Sequence, residues 1–195
     1  MTLAALLDCG ITLPALKSRM SGLKLPGYSL TRTKVRRHGI SATRLEVRIR
    51  GKEKRRNLDD IFAILEKSDI EGSIRSMARS IFRSIARAEA KIHGERIRQT
   101  HFHEVGATDA IVDVVGVLTA MAMLEVEQLF STPIPLGTGF VDTSHGLMPV
   151  PAPATLGLLA GYPVVRTDRE EELTTPTGAA LISELSSGVI PPSPF

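Results

Sequence analysis

Apolar residues recur at helical spacing along most of the first hundred positions, with one interruption where they alternate. In "LDDIFAILEKS", Leu58, Ile61, Phe62 and Leu65 fall on one face of a helix. From Ile70 to about His93 the apolar face is built by Ile74, Met77, Ala78, Ile81, Phe82 and Ile85, and Gly94 is placed to end the helix. The first two dozen residues also read as helical, with Thr12 as a cap and Pro14 in the first turn. The interruption is "YSLTRTKVRRHGISATRLEVRIR". Leu45, Val47 and Ile49 alternate there and "RHGI" supplies a glycine break, which predicts a β-hairpin.

Beyond residue 100 the periodicity shortens. "HFHEVGATDAIVDVVG" enters a near-continuous apolar run, a helix beginning near Ala107 or Thr108. "EQLFSTPIPLGTGFV" predicts a strand running into a Pro/Gly-rich loop. "SHGLMPVPAPATLGLLAG" predicts a loop carrying Pro149, Pro151 and Pro153 and leading into a short helix. "YPVVRT" is a strand, "DREEE" an acidic turn, "TPTGAALISELSS" a helix, and the tail "GVIPPSPF" irregular. There is no internal repeat. Long helices with a hairpin and a small mixed sheet indicate an α+β fold; a regular α/β layering is the alternative.

Charge divides the chain where the periodicity changes. Residues 1–100 hold 22 Lys/Arg against 10 Asp/Glu, and residues 101–195 hold 2 against 11. The chain therefore reads as one region, 1–195, with a basic helical and hairpin part at 1–100 and an acidic, motif-bearing part at 101–195. Mutual docking of the two parts would account for the division; so would an anionic ligand on one side and a cation on the other. Arg75, Arg79, Arg83 and Arg87 recur every four residues as a basic stripe, either a solvated face or a grip for phosphates. Cys9 is the only cysteine, which excludes an internal disulfide and a multi-thiolate metal site. No apolar run approaches a membrane span, and "MTLAALLDCG" has no basic n-region, so a cytoplasmic protein is expected.

The candidate chemistry is concentrated in the acidic part. In an extended segment His101 and His103 emerge on one side, a workable imidazole pair for a divalent metal, with Glu104 beside them if the chain turns at Gly106. Asp109 falls in the first turn of the following helix, where the dipole favours negative charge. Asp113 follows one turn on, inside a β-branched run, and a buried carboxylate requires a cation, a metal or several donors. Gly116, on the same face, admits close approach of a ligand or of neighbouring backbone. His145 stands on a loop beside Asp142 and Ser144. Thr175, Thr177 and Gly178 open a helix, either as an anion site or as ordinary capping.

"HFHEVGATDAIVDVVG", "PLGTGFVDTSHGLMPVPAPAT" and "ELTTPTGAAL", in this order and spacing, resemble the signatures of the LarC family of nickel-insertion proteins. "MTLAALLDCG", "HGISATRLEV" and "IFRSIARAEAKIHG" resemble the family's N-terminal part, so the resemblance covers nearly the whole chain. It implies insertion of nickel into a pyridinium bisthiocarboxylate mononucleotide, giving the nickel-pincer cofactor of lactate racemase-type enzymes. It also implies the use of CTP with Mn²⁺ or Mg²⁺. On that reading His101, His103, Glu104 and Asp109 are the metal-holding residues, and Thr175, Thr177 and Gly178 bind the mononucleotide. His145 and Asp113 are the candidates to remove a ring proton as the nickel–carbon bond forms.

The chain departs from the family pattern in three places. A strand and an "FDCxSGxSGD"-like loop usually precede the position of Met1. A His-rich run often occupies the place of "GKEKRRNLDD". A C-terminal domain associated with nucleotide binding usually follows. The expectation is an N-terminal portion that works with a C-terminal domain or a separate chain, with a homo-oligomer as a further arrangement. A nickel-binding scaffold without catalysis is the second reading. Nucleic-acid binding through the arginine stripe and "TRTKVRRHG" is the third, opposed by the acidic second part and the shortage of aromatics.

Overall fold

The computed structural model describes residues 1–51, 56–98, 100, 102, 107–143 and 146–190. In chain order these form α1 (Thr2–Asp8), α2 (Leu13–Met20), a 3-10 turn (Ser21–Leu23), β1 (Tyr28–Arg37), β2 (Ile40–Ile49), α3 (Leu58–Glu66), α4 (Gly72–His93) and α5 (Thr108–Met123). The second part continues with β3 (Phe130–Ser131), β4 (Ile134–Leu136), β5 (Phe140–Thr143), β6 (Gly146–Pro149), α6 (Pro153–Leu158), β7 (Val164–Arg166), α7 (Pro176–Leu185) and β8 (Gly188–Val189). The fold is α+β.

Helix α5 is the axis. Ile111, Val112, Val114, Val115 and Ala120 are fully buried along it, because α1, α2, α4 and α7 pack around it. The main core is continuous from Leu3 to Leu181, with Phe82, Ile81 and Ile85 of α4 at its centre. A smaller cluster of Ile134, Leu136, Leu159 and Ala179 joins β4 to α6 and α7. Among the described residues no helix is long and apolar enough to cross a membrane.

Local chemistry sets the ends of these elements. The Thr12 hydroxyl accepts from the Ala15 amide at the start of α2. Asn57 and Asp60 form a reciprocal capping box on α3. Gly94 ends α4 in the left-handed region, at φ 64°. His38 and Gly39, both at positive φ, make the two-residue turn whose twist suits a tight hairpin, and β1 and β2 pair antiparallel from Tyr28↔Ile49 to Arg37↔Ile40.

Three expectations are corrected. Gly146–Pro149, expected in a loop, is a strand paired antiparallel with β5. The Thr143 hydroxyl bonds the Gly146 carbonyl, and Pro149 sits at the ladder's end, where its missing N–H costs nothing. Gly188–Val189, expected to be irregular, pairs in parallel with β3. Ser186 organises that pairing, its Oγ donating to the Gly188 carbonyl at 2.7 Å and accepting from the Gly188 amide at 3.2 Å. Gly116 is approached by side chains and not by neighbouring backbone: a Cβ there would lie 2.7 Å from Leu3 Cδ2 and 3.4 Å from the end of Met20, so it admits α1 and α2 side chains.

The arginine stripe is partly engaged within the fold. Arg79 stacks over the Phe62 ring at 4.2 Å and lies 3.6 Å from Glu66, while Arg83 is 5.7 Å from the same ring. That arrangement favours the solvated-face reading over a phosphate grip.

Candidate functional site

Two of the motifs singled out in the sequence converge on one cavity. Helix α5 carries Asp109 in its first turn, exposed, with its own Oδ1 accepting from the Ala110 amide at 2.8 Å. One turn on, Asp113 is half-buried and faces a cavity of about 430 Å³. Thr175, Thr177 and Gly178 at the start of α7 form the opposite wall; Ile134 and Pro135 of β4, Glu172–Thr174 and residues 1–3 complete it. A smaller recess of about 180 Å³ adjoins it, where Asp113 is joined by Asp109 and by Leu45 and Val47 of the hairpin.

Asp113 has an altered acidity. Burial pushes its carboxyl above the ordinary carboxylate range; the Met1 amino group pulls it back, and the Asp109 carboxylate adds to the rise. Raised in this way, the group is a stronger base than a solvated aspartate.

The α7 wall is fixed by backbone-directed hydroxyls. The Thr174 hydroxyl donates to the Pro135 carbonyl at 2.8 Å, tying the start of α7 to β4. Thr175 is the cap residue, its hydroxyl accepting from the Gly178 amide at 3.3 Å. Ordinary capping therefore accounts for Thr175 and for the Gly178 N–H. The rest of the first turn still presents its dipole to the cavity, with Thr177 half-buried on the wall. Gly178 is not sterically demanding, since a Cβ there would meet only Thr175 Oγ1 at 3.5 Å.

Glu172 is the wall residue that the sequence pattern did not single out; it reads there as one of several acids in a turn. Its position is set by "PLGTG". A Cβ on Gly137 would fall 1.8 Å from the Glu171 carbonyl oxygen, so only glycine lets the 169–171 backbone seat there. Thr138 then holds that segment, its amide donating to the Arg169 carbonyl at 2.7 Å. The next residue is delivered to the cavity. The available signal was its adjacency to "TTPTG".

His101, His103, Glu104 and His145 lie outside the described residues, so the structure brings together Asp113 with Thr175, Thr177 and Gly178, and leaves Asp109 beside them in the smaller recess. Among the described residues there is no group of three or more His, Cys, Asp or Glu side chains able to hold a metal ion.

A family model described as nickel insertion protein matches residues 1–195. A protein of Desulfitobacterium hafniense, named pyridinium-3,5-bisthiocarboxylic acid mononucleotide nickel insertion protein, is 46% identical over 183 residues, covering 94% of this chain and 46% of its own length. A protein of Dictyoglomus thermophilum, provisionally named a nickel insertion protein, is 45% identical over 194 residues, 98% of this chain and 50% of its own length. The chain thus spans about half the length of the curated relatives it matches. No solved structure matches.

Proposed function

The chain belongs to the nickel insertion protein family, and from that premise we propose that it takes part in inserting nickel into pyridinium-3,5-bisthiocarboxylic acid mononucleotide, yielding the nickel-pincer cofactor of lactate racemase-type enzymes. The observation that supports this reading is the meeting of Asp113 and the α7 start on one cavity. The two walls suit the two ends of such a substrate. The positive end of α7 attracts a phosphate, and the carboxylates of Asp113 and Glu172 attract the cationic ring and the incoming Ni²⁺.

Forming a nickel–carbon bond replaces a ring proton by the metal, and that proton needs an acceptor. Asp113 fits the role because burial has raised its basicity. His145 is the second candidate base. His101, His103 and Glu104, with Asp109, are proposed to hold Ni²⁺ before transfer, imidazole and carboxylate being suitable ligands for it. CTP with Mn²⁺ or Mg²⁺ is the proposed co-reactant, a cation that nucleotide phosphates, water and one or two carboxylates suffice to hold. The doubled length of the relatives supports a C-terminal domain or separate chain as partner. The cytoplasm is the proposed compartment.

A nickel-binding module without catalysis of its own is the second reading. Titration calorimetry with metal analysis separates the outcomes. Roughly one Ni²⁺ per chain, lost in the His101→Ala/His103→Ala variant, supports the ligand assignment. Absent binding, or binding indifferent to those histidines, would overturn it.

A further inference from the structure

The divided charge and the basic hairpin are not used by the proposed chemistry. The near half of the hairpin is well anchored: Leu30 is buried, and Asp8 of α1 receives Arg32 at 2.8 Å, Lys34 at 3.2 Å and the Thr43 hydroxyl at 2.7 Å. The far half has no such support. Arg36 to Ala42 are exposed, and at the tip Arg37 pairs across the ladder with Ile40, which is 72% exposed. A two-stranded arm in water is marginal by itself and gains from a second surface.

The acidic part offers a surface of matching chemistry. Phe140 and Leu147 project from one face of the β5–β6 hairpin, since Phe140 pairs with Pro149 and Leu147 with Asp142, and they are 70% and 66% exposed. The 168–171 segment, seated on Gly137–Gly139, runs beside them: a Cβ on Gly139 would lie 3.7 Å from both Cα and Cβ of Glu170. Asp168, Glu170 and Glu171 are exposed there. An aliphatic tip flanked by arginines thus has its counterpart in an aromatic patch flanked by carboxylates. The two are not docked within one chain, because both are exposed. The ion pairs described, such as Lys24–Asp69, Arg32–Asp8, Arg44–Glu46 and Arg79–Glu66, join residues of the first hundred to one another.

We propose that the distal β1–β2 arm of one chain docks on the Phe140/Leu147 and Glu170/Glu171 surface of a second copy. Reciprocal docking satisfies both arms and closes a two-fold dimer. The contact combines apolar burial with charge steering and is therefore salt-sensitive.

Sedimentation velocity on the full chain, without nickel or nucleotide, tests this apart from the proposed reaction. The wild type is expected to dimerise at low salt, with affinity falling at least about tenfold at about 0.5 M salt. Arg36→Glu/Arg37→Glu and Glu170→Lys/Glu171→Lys should each be monomeric, and their equimolar mixture should recover a 1:1 dimer, because each altered arm then meets an altered surface. Ile40→Ser and Phe140→Ser remove the apolar half of the contact without changing charge, should either charge variant fail to fold, and each should be monomeric. Three outcomes would overturn the proposal: a monomeric wild type at both salts, a dimer that both variant sets leave intact, or a monomer whose arm retains duplex RNA instead.

Discussion

The two parts of the molecule are held by different physics. In the first, order comes from periodic apolar faces: α4 buries Ile74, Ala78, Ile81, Phe82, Ile85 and Ala86 against α5 and its neighbours. In the second, apart from α5, α6 and α7, short ladders of two to four residues are fixed by polar side chains bonded to backbone carbonyls. Thr138 reaches Arg169, Thr167 reaches Leu136, Thr174 reaches Pro135 and Ser186 reaches Gly188. The cavity lies where the second kind of structure leans on the first. A cavity wall built from directed hydrogen bonds can be shaped residue by residue, while the helical body supplies the rigidity that precise placement requires.

This contrast can be broken from either side. Phe82→Ala empties a fully buried site in the helical body and is expected to cost about 3–5 kcal/mol, read as one cooperative loss in thermal unfolding. Gly137→Ala drives a Cβ into the Glu171 carbonyl, so backbone must move. The expected cost is about 1–3 kcal/mol, with a Tm fall of roughly 2–12 °C. Its distinguishing signature is hydrogen exchange: protection should fall in 134–139 and 167–175 while the centres of α4 and α5 keep theirs. Uniform loss along the chain would contradict the two-part account.

The smallest expected effect is at the hairpin's anchor. Asp8 has its pKa lowered, first by the Thr43 hydroxyl bond and then by Lys34 and Arg32. A carboxyl with a lowered folded pKa contributes stability that is present above its ordinary value of 3.8 and lost as pH falls through the folded value. Hairpin chemical shifts should therefore hold steady from pH 7 to about 5 and move only in stronger acid. Asp8→Asn should remove that acid transition while leaving the rest of the spectrum in place.

The same contrast explains what could be read from the sequence. The helices, their caps at Thr12 and Gly94 and the "RHGI" turn follow from spacing and local chemistry, which act over a few residues. Asp113 stood out because a carboxylate inside a β-branched run has few inexpensive explanations. The β3–β8 pairing and the strand at Gly146–Pro149 did not stand out. The first depends on contacts across about 58 positions, such as Phe130 with Gly188, and the second, though local, is a ladder of only four pairs within a proline-rich stretch; neither leaves a periodic trace. Glu172 was hidden for a related reason: its place is set by the glycine at 137, and nothing in "DREEE" itself distinguishes one acid from the next. The convergence of Asp113 with "TPTG" is likewise a property of packing between α5 and α7.

That convergence is the central claim, and a double-mutant cycle on mononucleotide binding tests it most directly. Asp113→Asn, Thr177→Val and the double variant would be titrated with the pyridinium bisthiocarboxylate mononucleotide by calorimetry. If the two walls hold one ligand, each single variant weakens binding and the pair is non-additive, with a coupling of about 0.5 kcal/mol or more. Strictly additive losses, or affinity unchanged by either substitution in folded protein, would place the ligand elsewhere and contradict the account.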